Sequence, residues 1–528
     1  MQNRNVIRFA FTVGGFTMLS RILGMVRDVL TSSLFGTTLA FSAFTVAWRI
    51  PNLFRALFGE GALSAAFIPV FQETRQCQGE AAAWGLARRI MSLAGVVLLT
   101  IVGLGIIGLT IALHWPGDAI GDRTRTILPL VRIMLPYVFF ICMGALAMGV
   151  LNTYRLFSIS AFTPALLNIT WILSVLLVIP VFRPPLRITV LAWTVFVAGA
   201  VQLLYLLPPL WRVGWRPRFE RDWSNPLVRR VFLLMGPSAL GLAVNQVDVL
   251  LSSWLAMAAA PWAPSALYYA ERLIYLPQGI LATSLGVVLL PILSEYAAAN
   301  RRTDMLDTVQ HGLRTLLFVM TPAAIGLLVL ATPVVALLFQ HGKFDALSTF
   351  HTARALRFYA PGLMVFCLAK VFVPAFYALQ DTKTPVKVGL CTVAICFTCN
   401  VLSVLLLPEE WRHAGLAAST VIAECFNGLT LATLLCRRLG RLPFRAILGT
   451  LARALACAAL MALAAYYANG FLSTFIAGYY PRLASFSVLP AIVLAALVYL
   501  FAARLLRAPE LGFVLEALHR KKSPAKVA

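Results

Sequence analysis

An all-α integral membrane protein is predicted by three observations: how apolar the chain is, how its apolar residues recur in long runs, and where its basic residues lie. Of 528 residues, 60% are apolar and 12% charged, and the mean hydropathy is +0.85. A soluble domain carries about 25% charged residues. A helix needs about 20 apolar residues to cross a hydrocarbon core. Fourteen such segments can be read, at 7–33, 39–58, 88–113, 128–154, 160–182, 187–211, 228–257, 266–296, 311–340, 350–378, 384–407, 413–437, 447–468 and 483–506.

The first segment follows Arg4 and Arg8 in the manner of a signal peptide. Arg21 interrupts it, and no small-residue cleavage site precedes that arginine, so it is read as an uncleaved helix. The second breaks at Gly59-Glu60-Gly61, and 62–74 continues it beyond the break. Segments three to six end at a loop with six arginines between Arg212 and Arg230. Segments seven to twelve end at Arg437, Arg438, Arg441 and Arg445. Two more segments follow, then a tail with Arg520-Lys521-Lys522. With the N-terminus inside, about 27 Lys and Arg fall on the inner side and about 7 outside. Arg183 and Arg187 run against that asymmetry without overturning it. Both termini are therefore expected in the cytoplasm, as an even helix count requires.

An internal repeat organises the first twelve segments. Ala43-Phe44-Thr45-Val46-Ala47-Trp48-Arg49 answers to Ala266-Leu267-Tyr268-Tyr269-Ala270-Glu271-Arg272, and Pro69-Val70-Phe71-Gln72-Glu73 to Pro291-Ile292-Leu293-Ser294-Glu295. Thr163-Pro164 answers to Thr384-Pro385, again six helices on. Six is even, so both copies point the same way, as in parallel-repeat transporters. The predicted organisation is a six-helix lobe over 1–215, a second over 216–440, two additional helices over 441–510 and a basic tail over 511–528, with a central cavity between the lobes.

The charges inside apolar runs are the candidate functional residues. Arg21, Arg27, Arg49 and Arg55 would together cost on the order of 10 kcal/mol if they faced lipid, so they must face protein or water. Arg21 and Arg27 are six residues apart, an offset of about 120°, as are Arg49 and Arg55; Arg272 holds the position matching Arg49 in the second repeat. One reading is a guanidinium cage for phosphate, whose oxygens suit the planar fork. The other is pairing with Asp28, Glu60 and Glu271 at helix ends. Asp28 suits an orienting partner of Arg27. Asp248 is an intramembrane acid suited either to a coupling cation or proton or to an ion pair with an arginine. Asp381 reads as a loop residue opening the next helix, while Arg132 and Lys370 are further charges whose facing the pattern leaves open.

Several functions are excluded. The net charge of +24 reflects inner loops and buried arginines rather than nucleic-acid binding, because no basic soluble domain is present. The nine cysteines show no metal or disulfide spacing; Cys142, Cys367, Cys425 and Cys457 sit singly in apolar runs and Cys391, Cys396 and Cys399 lack nearby His, so all read as small buried residues. No nucleotide P-loop, H-E-x-x-H or G-x-S-x-G occurs, so neither an enzyme nor a resident cofactor is expected.

The runs SRILGMVRD, AWRIPNLFRALFGEGALSAAFIPVF, YYAERL and PAFYALQDTKTP resemble the MurJ (MviN) lipid II flippases of the multidrug/oligosaccharidyl-lipid/polysaccharide exporter superfamily. The resemblance spans nearly the whole chain. It implies two six-helix lobes in a V plus two extra helices that groove a polyprenyl tail. It also implies export of undecaprenyl-diphosphate-linked peptidoglycan precursor across a bacterial cytoplasmic membrane, by a monomer working beside cell-wall synthesis enzymes. The family's required arginines fall on Arg21, Arg27, Arg55 and Arg272. Ser42 and Tyr275 stand where the family carries acids, which leaves the cavity more positive and opens its charge-network gating to doubt. The alternatives are export of another lipid-linked anionic saccharide, a multidrug exporter of the same superfamily, or a membrane scaffold without transport.

Overall fold

The computed structural model describes residues 2–57, 62–115, 121–279, 283–440 and 442–512; Gly59-Glu60-Gly61 and most of the basic tail lie outside them. The described residues form helices and connecting turns. Among the described residues eight helices are long and apolar enough to cross a membrane, or ten when each bent pair is taken as one span. The chain divides into two compact units, Met1–Ser265 and Ala266–Ala528.

The first unit contains α1 (Gln2–Phe35), α2 (Leu39–Phe54), α3 (Ala62–Gln78), α4 (Glu80–His114), α5 (Asp122–Met134), α6 (Tyr137–Thr153), α7 (Phe157–Leu173), α8 (Pro184–Arg212) and α9 (Pro226–Ala259). Local chemistry sets the ends. Gly79 takes φ +87° ahead of α4, a conformation glycine adopts without cost. Asn225 accepts the Leu227 N–H and Pro226 follows at the first helical position, a strong start for α9. Phe67, Phe71, Trp84, Val150, Leu206 and Val231 form a core joining α3, α4, α6, α8 and α9. Close approach of α6 and α8 needs Gly199, where a Cβ would lie 2.6 Å from the Tyr137 ring.

Helix α10 (Ala263–Pro277) begins at the end of the first unit. The second unit continues with α11 (Thr283–Ala298), α12 (Arg302–Val329), α13 (Ala331–Phe339), α14 (Ala346–Tyr359), α15 (Gly362–Ala378), α16 (Lys383–Leu406), α17 (Glu409–Leu439), α18 (Phe444–Tyr479) and α19 (Val488–Leu505). Leu293, Leu313, Phe372, Phe376 and Leu435 hold α11, α12, α15 and α17 together. Phe318, Cys457, Met461 and Tyr499 join α12 to α18 and α19. Pro322 has no N–H to offer Phe318 four residues earlier, and the freed carbonyl accepts the Tyr499 hydroxyl at 2.6 Å.

Four apolar runs that read as single helices are broken. The run 128–154 bends by 41° between α5 and α6, and 350–378 by 46° between α14 and α15. Pro136 and Pro361 sit at these breaks, where a ring replaces a donor and crowds the preceding turn. The run 266–296 ends its first helix at Pro277, and 311–340 divides at Leu330. Helix α18 extends eleven residues beyond the expected end at 468, to Tyr479. Cys142, Cys367, Cys396 and Cys457 are buried as expected, but Cys391 is exposed and Cys425 half-buried, on helix sides that the unit's own core does not cover.

Asp381 opens α16, as its loop position suggests. Its Oδ1 accepts the backbone N–H groups of Lys383 and Thr384, and its Oδ2 accepts the Thr384 hydroxyl and lies 2.6 Å from Arg438 Nη2. Desolvation opposes the charged form, but these hydrogen bonds and Arg438 outweigh it and hold the carboxyl below its ordinary value of 3.8. A depressed carboxylate stabilises the fold fully above its unfolded pKa and loses that contribution as pH falls. The thermal midpoint of the detergent-purified protein should therefore drop below about pH 4, and Asp381→Asn should flatten that part of the profile. An acid limb identical in the variant would rule Asp381 out as its source.

Candidate functional site

In the first unit Arg27 and Asp28 form a nearly buried ion pair. Arg27 is 8% exposed, inside α1 where that helix packs on α7. Its Nε and Nη2 donate to Asp28 Oδ1 at 3.0 and 2.8 Å, and its Nη1 donates to Asn168 Oδ1 of α7 at 3.0 Å. Asn168 in turn donates its amide to the Ser20 carbonyl at 2.9 Å. The guanidinium carbon lies 4.8 Å from the Trp171 ring centroid, and Trp171 Nε1 donates to Thr31 Oγ1 at 3.1 Å. A buried guanidinium thus has a counter-charge, an amide acceptor and an aromatic face. Arg27 pairs with Asp28 within the helix interface rather than at a helix end, an arrangement that suits both a pair fastening the helices and one orienting the fork.

The other arginines have different surroundings. Arg21 is exposed on α1, consistent with its offset of about 120° from Arg27. Arg49 is half-buried in α2, and Arg55 closes that helix with Nε donating to Asn52 Oδ1 at 2.9 Å. In the second unit Arg272 is half-buried, with its guanidinium 4.5 Å from the Tyr268 ring centroid one turn earlier. Its neighbour Glu271 accepts the Tyr359 hydroxyl at 3.4 Å. Asp248 is half-buried on α9. Arg132 reaches Thr110 of α4 at 3.5 Å, Lys370 is exposed on α15, and Glu60 lies outside the described residues.

Ser42, standing where the resemblance calls for an acid, is fully buried with its Oγ 2.7 Å from Ser265 Oγ. The two serines are 223 positions apart, the displacement of the repeat itself. Tyr275 is exposed on α10. Asn168, Trp171 and Glu424 were missed in the sequence. A polar residue inside an apolar run was the available signal for Asn168, and an acid inside the twelfth segment for Glu424, whose side chain bonds Asn427 at 3.1 Å.

The comparisons agree with this picture. The family model described as "Lipid II flippase MurJ" matches residues 31–486. A lipid II flippase MurJ from Burkholderia cenocepacia is 36% identical over 438 residues, covering 81% of this chain and 83% of the relative. A probable lipid II flippase MurJ from Vibrio cholerae is 33% identical, covering 80% and 82%. Among solved structures, a lipid II flippase MurJ in an inward closed conformation superposes with a TM-score of 0.73 at 21% identity, covering 95% of this chain and 98% of that one. An inward-facing multidrug MATE transporter of the MOP superfamily reaches 0.66 at 14% identity, covering 84% and 99%. Both structural likenesses concern fold alone, whereas the two relatives and the family model concern descent: this chain belongs to the MurJ lipid II flippase family.

Proposed function

We propose that the chain carries undecaprenyl-diphosphate-linked peptidoglycan precursor from the inner to the outer leaflet of a bacterial cytoplasmic membrane. Family membership over residues 31–486 carries this reading. The helices support it: α1, α9 and the pairs α2–α3 and α10–α11 supplement the ten apolar spans to make fourteen crossings. Bends at Pro136 and Pro361, and helix ends at Phe54 and Pro277, recur at matching places and support two like-oriented repeats.

In this mechanism Arg21, Arg27, Arg55 and Arg272 replace water around the diphosphate, and alternating access exposes it to each side in turn. Asp28 and Asn168 aim the Arg27 fork, and Tyr268 supports Arg272 from below its plane. Each negative charge moving outward gains about 2.3 kcal/mol per 100 mV with the interior negative. Membrane potential then drives export without nucleotide hydrolysis, and a cation or proton at Asp248 resets the empty carrier.

The test is complementation of a strain depleted of its own lipid II flippase, with leaflet-specific labelling of the precursor. The chain should restore outer-leaflet labelling, and collapsing the potential should halt it. Arg272→Ala should cut labelling at least about tenfold and Arg272→Lys less, because a point charge keeps attraction but loses the fork. Unchanged export by Arg272→Ala, or with all gradients collapsed, contradicts the mechanism.

A further inference from the structure

The second unit contains a cavity of about 500 Å³ apart from the arginines of the transport reading. It lies between the α12–α13 junction, Arg357 of α14 and the stretch of α18 from Tyr466 to Phe471. One wall is apolar, built from Val329, Leu330 and Pro333. Opposite it lie groups that can donate hydrogen bonds, Arg357, Asn469, Tyr466 and Tyr467. Arg357 Nη2 donates to Thr332 Oγ1 at 3.1 Å, and among the described residues no carboxylate lies within ion-pair distance of Arg357. The Asn469 carbonyl oxygen accepts the hydroxyl of buried Ser487 at 3.1 Å, which leaves its NH2 group as the end available to a ligand. The Tyr466 and Tyr467 hydroxyls complete a lining without a single acid.

Arg357 is exposed at the cavity mouth, and a guanidinium that meets no carboxylate at a membrane surface favours an anionic partner. Position says what kind. Helix α18 has 36 residues and is about 54 Å long against a hydrocarbon core of about 30 Å. Arg453, near its start, is bound to Glu510. Tyr466 to Phe471 lie thirteen to eighteen residues on, about 20–27 Å along the axis, which puts them near the opposite interface. Tyr466, Tyr467 and Phe471 are exposed there, as aromatic side chains are at headgroup level.

We propose that this cavity holds the phosphodiester of an anionic bilayer lipid. Arg357 and the Asn469 amide bind the phosphate, the two tyrosines border it, and the α12–α13 wall takes the glycerol and first acyl carbons. The assignment requires that the chain span a membrane and is independent of what it transports. It locates a lipid site on the far side from the arginine-rich inner loops, in the outer leaflet of the orientation predicted above.

The experiment uses the full chain in detergent with phosphatidylglycerol, phosphatidylethanolamine or undecaprenyl phosphate added, read by native mass spectrometry and by lipid-dependent thermal shift. Phosphatidylglycerol should be retained at least about tenfold better than phosphatidylethanolamine, and Arg357→Gln should remove that preference. Gly470→Trp provides the second arm, because a Cβ at Gly470 meets nothing within 4 Å and an indole there would fill the cavity without disturbing the helix. It should abolish the lipid-dependent shift while leaving the lipid-free midpoint unchanged. Equal retention of the two phospholipids, undiminished phosphatidylglycerol binding by both variants, or a strong preference for undecaprenyl phosphate would each overturn the assignment.

Discussion

Arg27→Ala should eliminate export and destabilise the protein at the same time. The substitution removes a cationic partner of a nearly buried carboxylate, since Asp28 is 3% exposed and its Oδ1 accepts from both Nε and Nη2 of Arg27. Breaking a buried ion pair from one side costs about 3–5 kcal/mol, because the surviving charge stays desolvated. The Asn168 carbonyl oxygen also loses its donor, worth about 1 kcal/mol more. Loss of export alone would therefore be ambiguous. The double variant Arg27→Met with Asp28→Leu removes both charges and keeps volume, so it should recover most of the unfolding midpoint. If the guanidinium binds diphosphate, the double variant folds and still fails to label the outer leaflet. Export by the double variant would reduce Arg27 to a fastener between α1 and α7.

Glu510→Ala is the second large effect, at a place with no direct tie to transport. Glu510 follows α19 and is completely buried. Its Oε1 accepts from Arg314 Nε and Nη2 at 3.0 and 2.6 Å, from the Thr450 hydroxyl, and lies 3.5 Å from Arg453 Nη2. One carboxylate therefore holds α12, α18 and the end of α19 together. Alanine leaves the Arg314 guanidinium, 16% exposed, without its counter-charge, at a cost of about 3–5 kcal/mol. Glu510→Gln retains an acceptor and should fall between. Thermal unfolding in detergent measures the loss, and limited proteolysis ahead of Phe444 should show the last two helices released first. A change under about 1 kcal/mol for Glu510→Ala would mean that apolar packing of Cys457, Met461 and Tyr499 alone holds the pair.

How far these features could be read from the chain depends on the range of each interaction. Apolar runs announced most helices because a membrane span must satisfy its own backbone within about 20 residues. Asp381 was legible for the same reason: its donors on Lys383 and Thr384 lie within three positions, although Arg438 does not. Asp28 beside Arg27 was legible as neighbours are. Asn168 and Glu510 were not, because Arg27 and Arg314 are 141 and 196 residues away and a polar residue in an apolar run does not name its partner. The breaks at Pro136 and Pro361 lay between; the prolines were visible, but prolines inside Pro69, Pro164 and Pro374 of α3, α7 and α15 did not split those helices. Which proline interrupts is decided by what packs around it.

The pairing of Ser42 with Ser265 has a mechanical consequence. Two hydroxyls meet where the start of α2 touches the start of α10, and neither bears a formal charge between pH 2 and pH 12. A clasp made this way separates for about 1 kcal/mol. It is indifferent to acidity and to ionic strength, whereas an aspartate in the same spot would have tied this contact to the local proton concentration.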